Sequence, residues 1–161
     1  TIRNLHGRSD SVMEIHFDLK EFTKLSDDFL ELAKDKFPKQ TKSFMGRAGN
    51  RMRASARAAY RSEIKHSKTG NLVKGLSRGR PYIYGNNEFS VRVVNKAPHA
   101  HLYEHGHVLW RHLPGEKHAV KTERMVKGRH TMAKAETAFQ SEFEGMADAY
   151  VDKLLEEGGF L

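Results

Sequence analysis

The sequence predicts an α+β domain in which a small antiparallel sheet is packed by long N-terminal and C-terminal helices. Three observations carry this expectation. Met132, Ala135, Phe139, Phe143, Met146, Tyr150 and Leu154 recur at three- and four-residue spacing, the pattern of one buried helix face. A second stretch, from about Gln40 to Ile64, repeats that period with Met45, Ala48, Met52, Ala56, Ala59 and Tyr60. Between them, Phe89, Val91 and Val93 alternate with Ser90, Arg92 and Val94, the two-residue period of a half-buried strand.

The remaining elements follow in chain order. Residues 1–11 are polar with an isolated Leu5 and read as a flexible arm ahead of a single domain over 12–157, with a short tail at 158–161. Val12, Ile15 and Phe17 form a short strand. Phe22, Leu25, Phe29, Leu32 and Ala33 then share one face of a helix over Asp18 to Lys36, which Pro38 ends or bends. The next helix has a core face of mostly small residues, so it can approach a neighbour closely. Glycines at 70, 75, 79 and 85 interrupt the chain after it, leaving room for short strands over Asn71 to Leu76 and Tyr82 to Tyr84. Gly85-Asn86-Asn87 suits a hairpin turn, which pairs Tyr82 to Tyr84 with Phe89 to Val93. Pro98 admits a turn or two of helix over His99 to His105, and Gly106 stops it. A long loop is expected over 107–130, with Pro114-Gly115 in it and Trp110 as an interface anchor. Thr131 is placed to cap the last helix and Gly158-Gly159 to end it.

Composition excludes several chemistries. The 161 residues contain no cysteine, which removes disulfides, thiolate catalysis and Cys-ligated zinc. No run approaches the roughly 18 apolar residues of a membrane span, and Thr1 to Asp10 lacks the apolar centre of a signal peptide, so a soluble chain with no membrane partner is expected. The net charge of +8 is unevenly spread. Thirteen Lys and Arg lie between Lys36 and Arg80 against Glu63 alone, whereas seven Asp and Glu lie between Ala135 and Leu161 against Lys153 alone. Arg47, Arg51, Arg57 and Arg61 form a basic helix face that can meet phosphates or an acidic partner. Glu136, Glu142, Glu144 and Asp148 supply an acidic face on the last helix. In a ring of identical subunits the two faces can meet between copies.

The stretch from Asn95 to His107 holds four of the ten histidines. His101-Leu102-Tyr103-Glu104-His105 matches the inverted zinc-peptidase pattern H-x-x-E-H, and the nearby histidines invite a nuclease reading. A zinc site of that kind needs a long helix and a further ligand, and Pro98 and Gly106 allow only a short one. The structural reading is therefore preferred, with no enzyme activity, no cofactor and no catalytic or metal residue assigned.

Three segments in fixed order add a resemblance. Thr69-Gly70-Asn71-Leu72 follows the basic helix, Tyr103-Glu104-His105-Gly106-His107 follows the central strand, and Val126-Lys127-Gly128-Arg129-His130-Thr131-Met132 leads into the last helix. From about Val12 to Leu155 the chain resembles the gene-product-ten-like neck or tail-completion proteins of tailed bacteriophages and prophages. The resemblance implies a virion structural protein at the head-to-tail connection, assembled in the host cytoplasm. Its partners would be the head-closure and tail-terminator rings and further copies of itself, with DNA passing through the channel. It implies structural roles for Gly70, Asn71, Tyr103, Glu104, Gly106 and Gly128. The histidines around Tyr103 and Glu104 depart from the small or hydrophobic residues commoner there. A tail terminator or other ring protein, or a non-specific nucleic-acid-binding module, are the alternatives.

Overall fold

A computed structural model of the chain describes residues 2–3, 12–17, 38–64, 69–84 and 88–158. The helix expected over Asp18 to Lys36 and the turn Gly85-Asn86-Asn87 lie outside these residues. The described strands are β1 (Ile2–Arg3), β2 (Val12–Phe17), β3 (Leu76–Arg78), β4 (Tyr82–Tyr84), β5 (Glu88–Asn95), β6 (Gly106–Arg111) and β7 (Val120–Lys127). The described helices are α1 (Pro38–Glu63), α2 (Asn71–Lys74), α3 (Ala100–His105) and α4 (Thr131–Gly158). The class is α+β, as predicted.

Strand β5 is the centre of the larger sheet. On one edge it pairs antiparallel with β2, with Ile15 opposite Val91, and β2 in turn pairs with β1. On its other edge β3 and β4 lie end to end, Ser77 opposite Val94 and Tyr82 opposite Ser90. The backbone N–H of Gly79 donates to Arg92 O at 2.8 Å, extending the ladder past β3 before Pro81 interrupts it. The predicted pairing of Tyr82 to Tyr84 with the central strand is therefore present. Phe89, Val91 and Val93 face the core, as their alternation requires, while Arg92 points to solvent.

Helices α1 and α4 pack on that inner face and on each other. Pro38 occupies the first position of α1, where a missing N–H costs nothing. The two helices run antiparallel, since Thr41 near the start of α1 meets Tyr150 late in α4 and Glu63 at the end of α1 meets Thr131 at the start of α4. At 26 and 28 residues they extend roughly 39 and 42 Å. All the predicted stripe residues of α4 are buried or half-buried, from Met132 to Leu154. Phe44 stacks on Tyr150 with ring centroids 4.5 Å apart and 8° between planes. Such aromatic contacts add roughly 0.5 to 1.5 kcal/mol beyond the apolar area they bury.

Four expectations need correction. The stretch 107–130 is not a loop: β6 and β7 pair antiparallel as a separate two-stranded ribbon, from Gly106 opposite Lys127 to Arg111 opposite Val120. Its alternation was masked because the ladder is irregular between Val108 and Trp110 and because charged residues sit on both faces. Asn71 to Lys74 is a helical turn and not the start of a strand, closed by Lys74 N–H to Gly70 O and Gly75 N–H to Asn71 O. Four residues are too few for periodicity to separate the two states. Within the segment read as a flexible arm, Ile2 and Arg3 pair with the outer edge of β2, whose backbone groups would otherwise need water. Thr131, finally, directs its hydroxyl to Glu63, and the start of α4 is capped by a different side chain, as described below.

Gly49 shows how closely α1 sits on β5. A Cβ there would lie 2.9 Å from Val91 Cγ2 and 2.8 Å from Arg78 Cδ. Gly49→Ala is expected to destabilise the fold by about 1–3 kcal/mol through overpacking, read from urea unfolding. Combined with Val91→Ala, which removes the obstructing methyl groups, the loss should fall below the sum of the two single losses.

Candidate functional site

Tyr103, Glu104, Gly106 and Gly128, four of the six motif residues singled out in the sequence, converge on one corner, where the end of α1, the short α3 and the start of α4 meet. Glu104, on α3, is 3% exposed. Its two carboxylate oxygens accept from the backbone N–H of Met132 at 3.3 and 3.2 Å, so an acidic side chain from α3 caps α4. The helix dipole favours a negative group at that place. The Tyr60 hydroxyl, from α1, donates to the same carboxylate. Burial, reinforced by Glu104, pushes the Tyr60 phenol far above the ordinary tyrosine range, which keeps it a neutral donor.

A second carboxylate closes the corner from outside. Glu63 accepts from Lys134 Nζ at 2.8 Å, from Thr131 Oγ1 at 2.7 Å and from Tyr103 Oη at 3.2 Å. Lys134 holds its carboxyl below the usual glutamate range, with help from Thr131 and Tyr103. The Tyr103 ring lies 5.6 Å from that of Tyr60, and burial raises its phenol. Backbone bonds from Arg129 N–H to Tyr103 O and His130 N–H to Glu104 O tie the same segments.

Gly106 and Gly128 make this convergence possible. Gly106 has φ 85°, which L side chains rarely adopt, and a Cβ on it would meet Val126 O and would sit 2.8 Å from Gly128 N. A Cβ on Gly128 would meet Glu104 O and lie 2.6 Å from His105 C. The two glycines let the chain leaving α3 pass against the chain entering α4. Gly70, with φ 65°, starts the α2 turn, and Asn71 is its first residue. Neither belongs to the corner.

The charged faces are arranged less simply than their spacing suggests. On α1, Arg47 and Arg51 form one pair and Arg57 and Arg61 another, the pairs turned about 80° from each other around the axis. Arg51 Nε lies 3.5 Å from Glu142 on α4, within the same chain, and Arg47 Nη1 donates to Ser43. No acidic side chain pairs with Arg57 or Arg61 among the described residues. The four acidic candidates do not share a face of α4. Glu142 looks toward α1, Glu144 and Asp148 sit about 160° and 120° away from it around the helix, and Glu136 is half-buried, its carboxyl raised by desolvation. Trp110 stands on β6, 59% exposed.

The family described as "Bacteriophage HK97-gp10, putative tail-component" matches residues 23–106. The chain belongs to this family. No curated protein and no solved structure matches the chain. As an HK97-gp10-like protein it is a bacteriophage tail component, a virion protein whose partners are other phage structural proteins. The matched span takes in Glu104 and Gly106 but stops short of the ribbon and of α4, so half of the corner lies inside it and half beyond.

In this HK97-gp10-like chain the H-x-x-E-H pattern serves structure. Glu104 is buried with both oxygens engaged, which leaves it unable to activate a water between two imidazoles. The histidines are scattered: His99 precedes α3, His107 lies in β6 opposite Val126, and His112 and His118 flank the ribbon turn. His105 and His130 approach each other, ring centroids 6.2 Å apart. Sequence reasoning treated Tyr60 only as core and passed over Glu63. Its isolation as the one acid among thirteen cations was the available signal.

Glu104→Ala should cost about 2–3 kcal/mol in urea unfolding, since it leaves the Met132 N–H and the Tyr60 O–H buried without that acceptor; Glu104→Gln, which can still accept, should lose less. For Glu63 the folded-state pKa is depressed, so its contribution is present above the unfolded value and lost as pH falls through the folded one. Lys134→Met, which removes the largest cause, should be less stable near neutrality and should lose less stability than the parent between about pH 5 and pH 3.

Proposed function

We propose that this tail component works at the head-to-tail connection, joining head and tail as part of a ring that contacts the head-closure and tail-terminator rings, with DNA passing through its channel. The observation that carries this reading is the arginine flank of α1, where Arg47 and Arg61 are exposed and Arg57 is half-buried. Arg57 and Arg61 stand one helical turn apart at the end of a rigid helix, and no described carboxylate of the chain neutralises them. A surface of that kind is suited to an acidic protein face or to phosphates. The acidic flank of α4 carries the opposite sign elsewhere on the same subunit, so identical copies can associate head to tail and close. In this reading the protein binds no cofactor and catalyses nothing, and it assembles in the host cytoplasm before residing in the virion neck.

Phosphate contact by the same arginines is favoured by their regular spacing along one helix face and would make binding fall steeply with salt. Reversing Arg47, Arg57 and Arg61 to Glu should leave the urea transition of the isolated protein in place and stop joining of heads to tails, seen by electron microscopy as full heads beside unattached tails. Normal infectious particles from that triple variant would sink the proposal. Binding of the parent to a fluorescent duplex at low salt, lost in the variant, would assign the flank to DNA instead of a protein ring.

A further inference from the structure

The β6–β7 ribbon is built unlike the rest of the fold. It is a sheet of two strands only, with no third strand on either edge among the described residues. Both of its faces meet solvent. Four of the six large apolar side chains that the described residues expose belong to it: Trp110 at 59%, Leu113 at 48%, Met125 at 68% and Val126 at 39%. Val108 stands opposite Met125 and Trp110 opposite Lys121, so each of these pairs shares a face. An isolated two-stranded ribbon is at best marginally stable in water, and one that presents Trp and Met to solvent lacks the cover that normally stabilises it. It is also basic, with Arg111, Lys117, Lys121, Arg124 and Lys127 against Glu116 and Glu123.

The surface that complements it is on the same molecule but turned away from the core. Glu144, Asp148, Asp152 and Glu156 follow one another at four-residue spacing along exposed positions of α4. Beside them Ser141, Gly145 and Ala149 are exposed and small. Gly145 lies in the interior of a helix, where glycine is unfavourable by roughly 0.5–1 kcal/mol relative to alanine, and a Cβ there would meet nothing within 4 Å. Its own fold gives no reason for the missing side chain, whereas a bulky group laid on this face from outside does. β7, at roughly 26 Å, is long enough to cover the acidic row from Glu144 to Glu156, roughly 18 Å.

We propose that the β6–β7 ribbon is an intersubunit arm that lies along the outer, acidic face of α4 in a second copy of this chain. Trp110 and Met125 pack over the small residues around Gly145, while Lys121, opposite Trp110, and Lys127, two residues beyond Met125, meet the acidic row. The contact is heterologous, each copy giving an arm and receiving one. It rests on the ring reading above but gives the acidic face of α4 to the ribbon in place of the arginine flank of α1, which is left for other partners.

The absence of cysteine from the chain allows a direct test. With Met125→Cys and Ala149→Cys in one chain, mild oxidation should give a ladder of disulfide-linked dimers and larger species, while each single variant gives neither ladder nor intrachain closure. Sedimentation velocity at low salt should show the parent self-associating, and Lys121→Glu with Lys127→Glu, or Asp148→Lys with Asp152→Lys, should each shift it to monomer. Combining all four reversals should restore association, which a merely misfolded variant would not do. A parent that stays monomeric at every concentration, a disulfide confined within single chains, or ribbon reversals that associate like the parent would overturn the proposal. If reversal of Arg47, Arg57 and Arg61 abolishes association and the ribbon reversals do not, this contact falls and the ring reading stands. If the exchange of charges restores association while the α1 reversals leave head-to-tail joining intact, the contact stands and the assigned place in the particle falls.

Discussion

The buried carboxylate of Glu104 is the interaction on which the rest of the arrangement depends. An ionised group removed from water is costly unless it is fully met by donors. Here the donors come from two other elements, the backbone at the start of α4 and the hydroxyl of Tyr60 near the end of α1. Each of these is itself a group that burial would otherwise leave unsatisfied. One side chain on a six-residue helix therefore sets where two helices of 26 and 28 residues meet. A satisfied polar corner of this sort specifies register more sharply than the apolar stripes do, since Met45, Met52 and Met132 can slide or repack at modest cost.

Much of this was legible in the sequence. The period of the last helix, the small-residue face of α1, the alternation of β5 and the stop at Gly106 each arise from local rules, and each appears where those rules place it. The ribbon was not legible, because half-polar strands with an irregular ladder resemble a charged loop when read one strand at a time. The corner was legible only in pieces. Tyr103, Glu104, Gly106 and Gly128 could be picked out, yet the donors that give Glu104 its role lie 44 and 28 positions away along the chain. Nothing in local spacing indicates that an acid just before a histidine will cap a helix that begins after the next hairpin. The histidines drew attention by density, whereas Glu63 carried information by being alone.

Charge separation in the chain likewise does not translate directly into charge separation in space. Arg51 and Glu142 belong to the two opposed runs, and the antiparallel packing of α1 on α4 turns them toward each other within one subunit. An exposed pair of this kind contributes little to stability, about 0 to 1 kcal/mol. Its consequence is subtraction: part of each charged face is already neutralised, and the flanks left over are narrower than the sequence suggests. Arg57 and Arg61 remain on α1, and Glu144, Asp148 and Asp152 on α4. These face different directions, so one subunit has at least two distinct charged surfaces to offer.

The corner also determines how the ribbon is held. β6 leaves through Gly106, two residues after Glu104, and β7 returns to Gly128, two residues before His130, whose backbone N–H bonds to Glu104 O. Both ends of the ribbon are thus fastened to the segment that caps α4, and its apolar residues beyond that base have no cover from the described core. A load applied to the ribbon is delivered to Glu104 and through it to the first turn of α4 and to Tyr60. That route ends where the Met132 N–H and the Tyr60 hydroxyl both donate to one buried carboxylate.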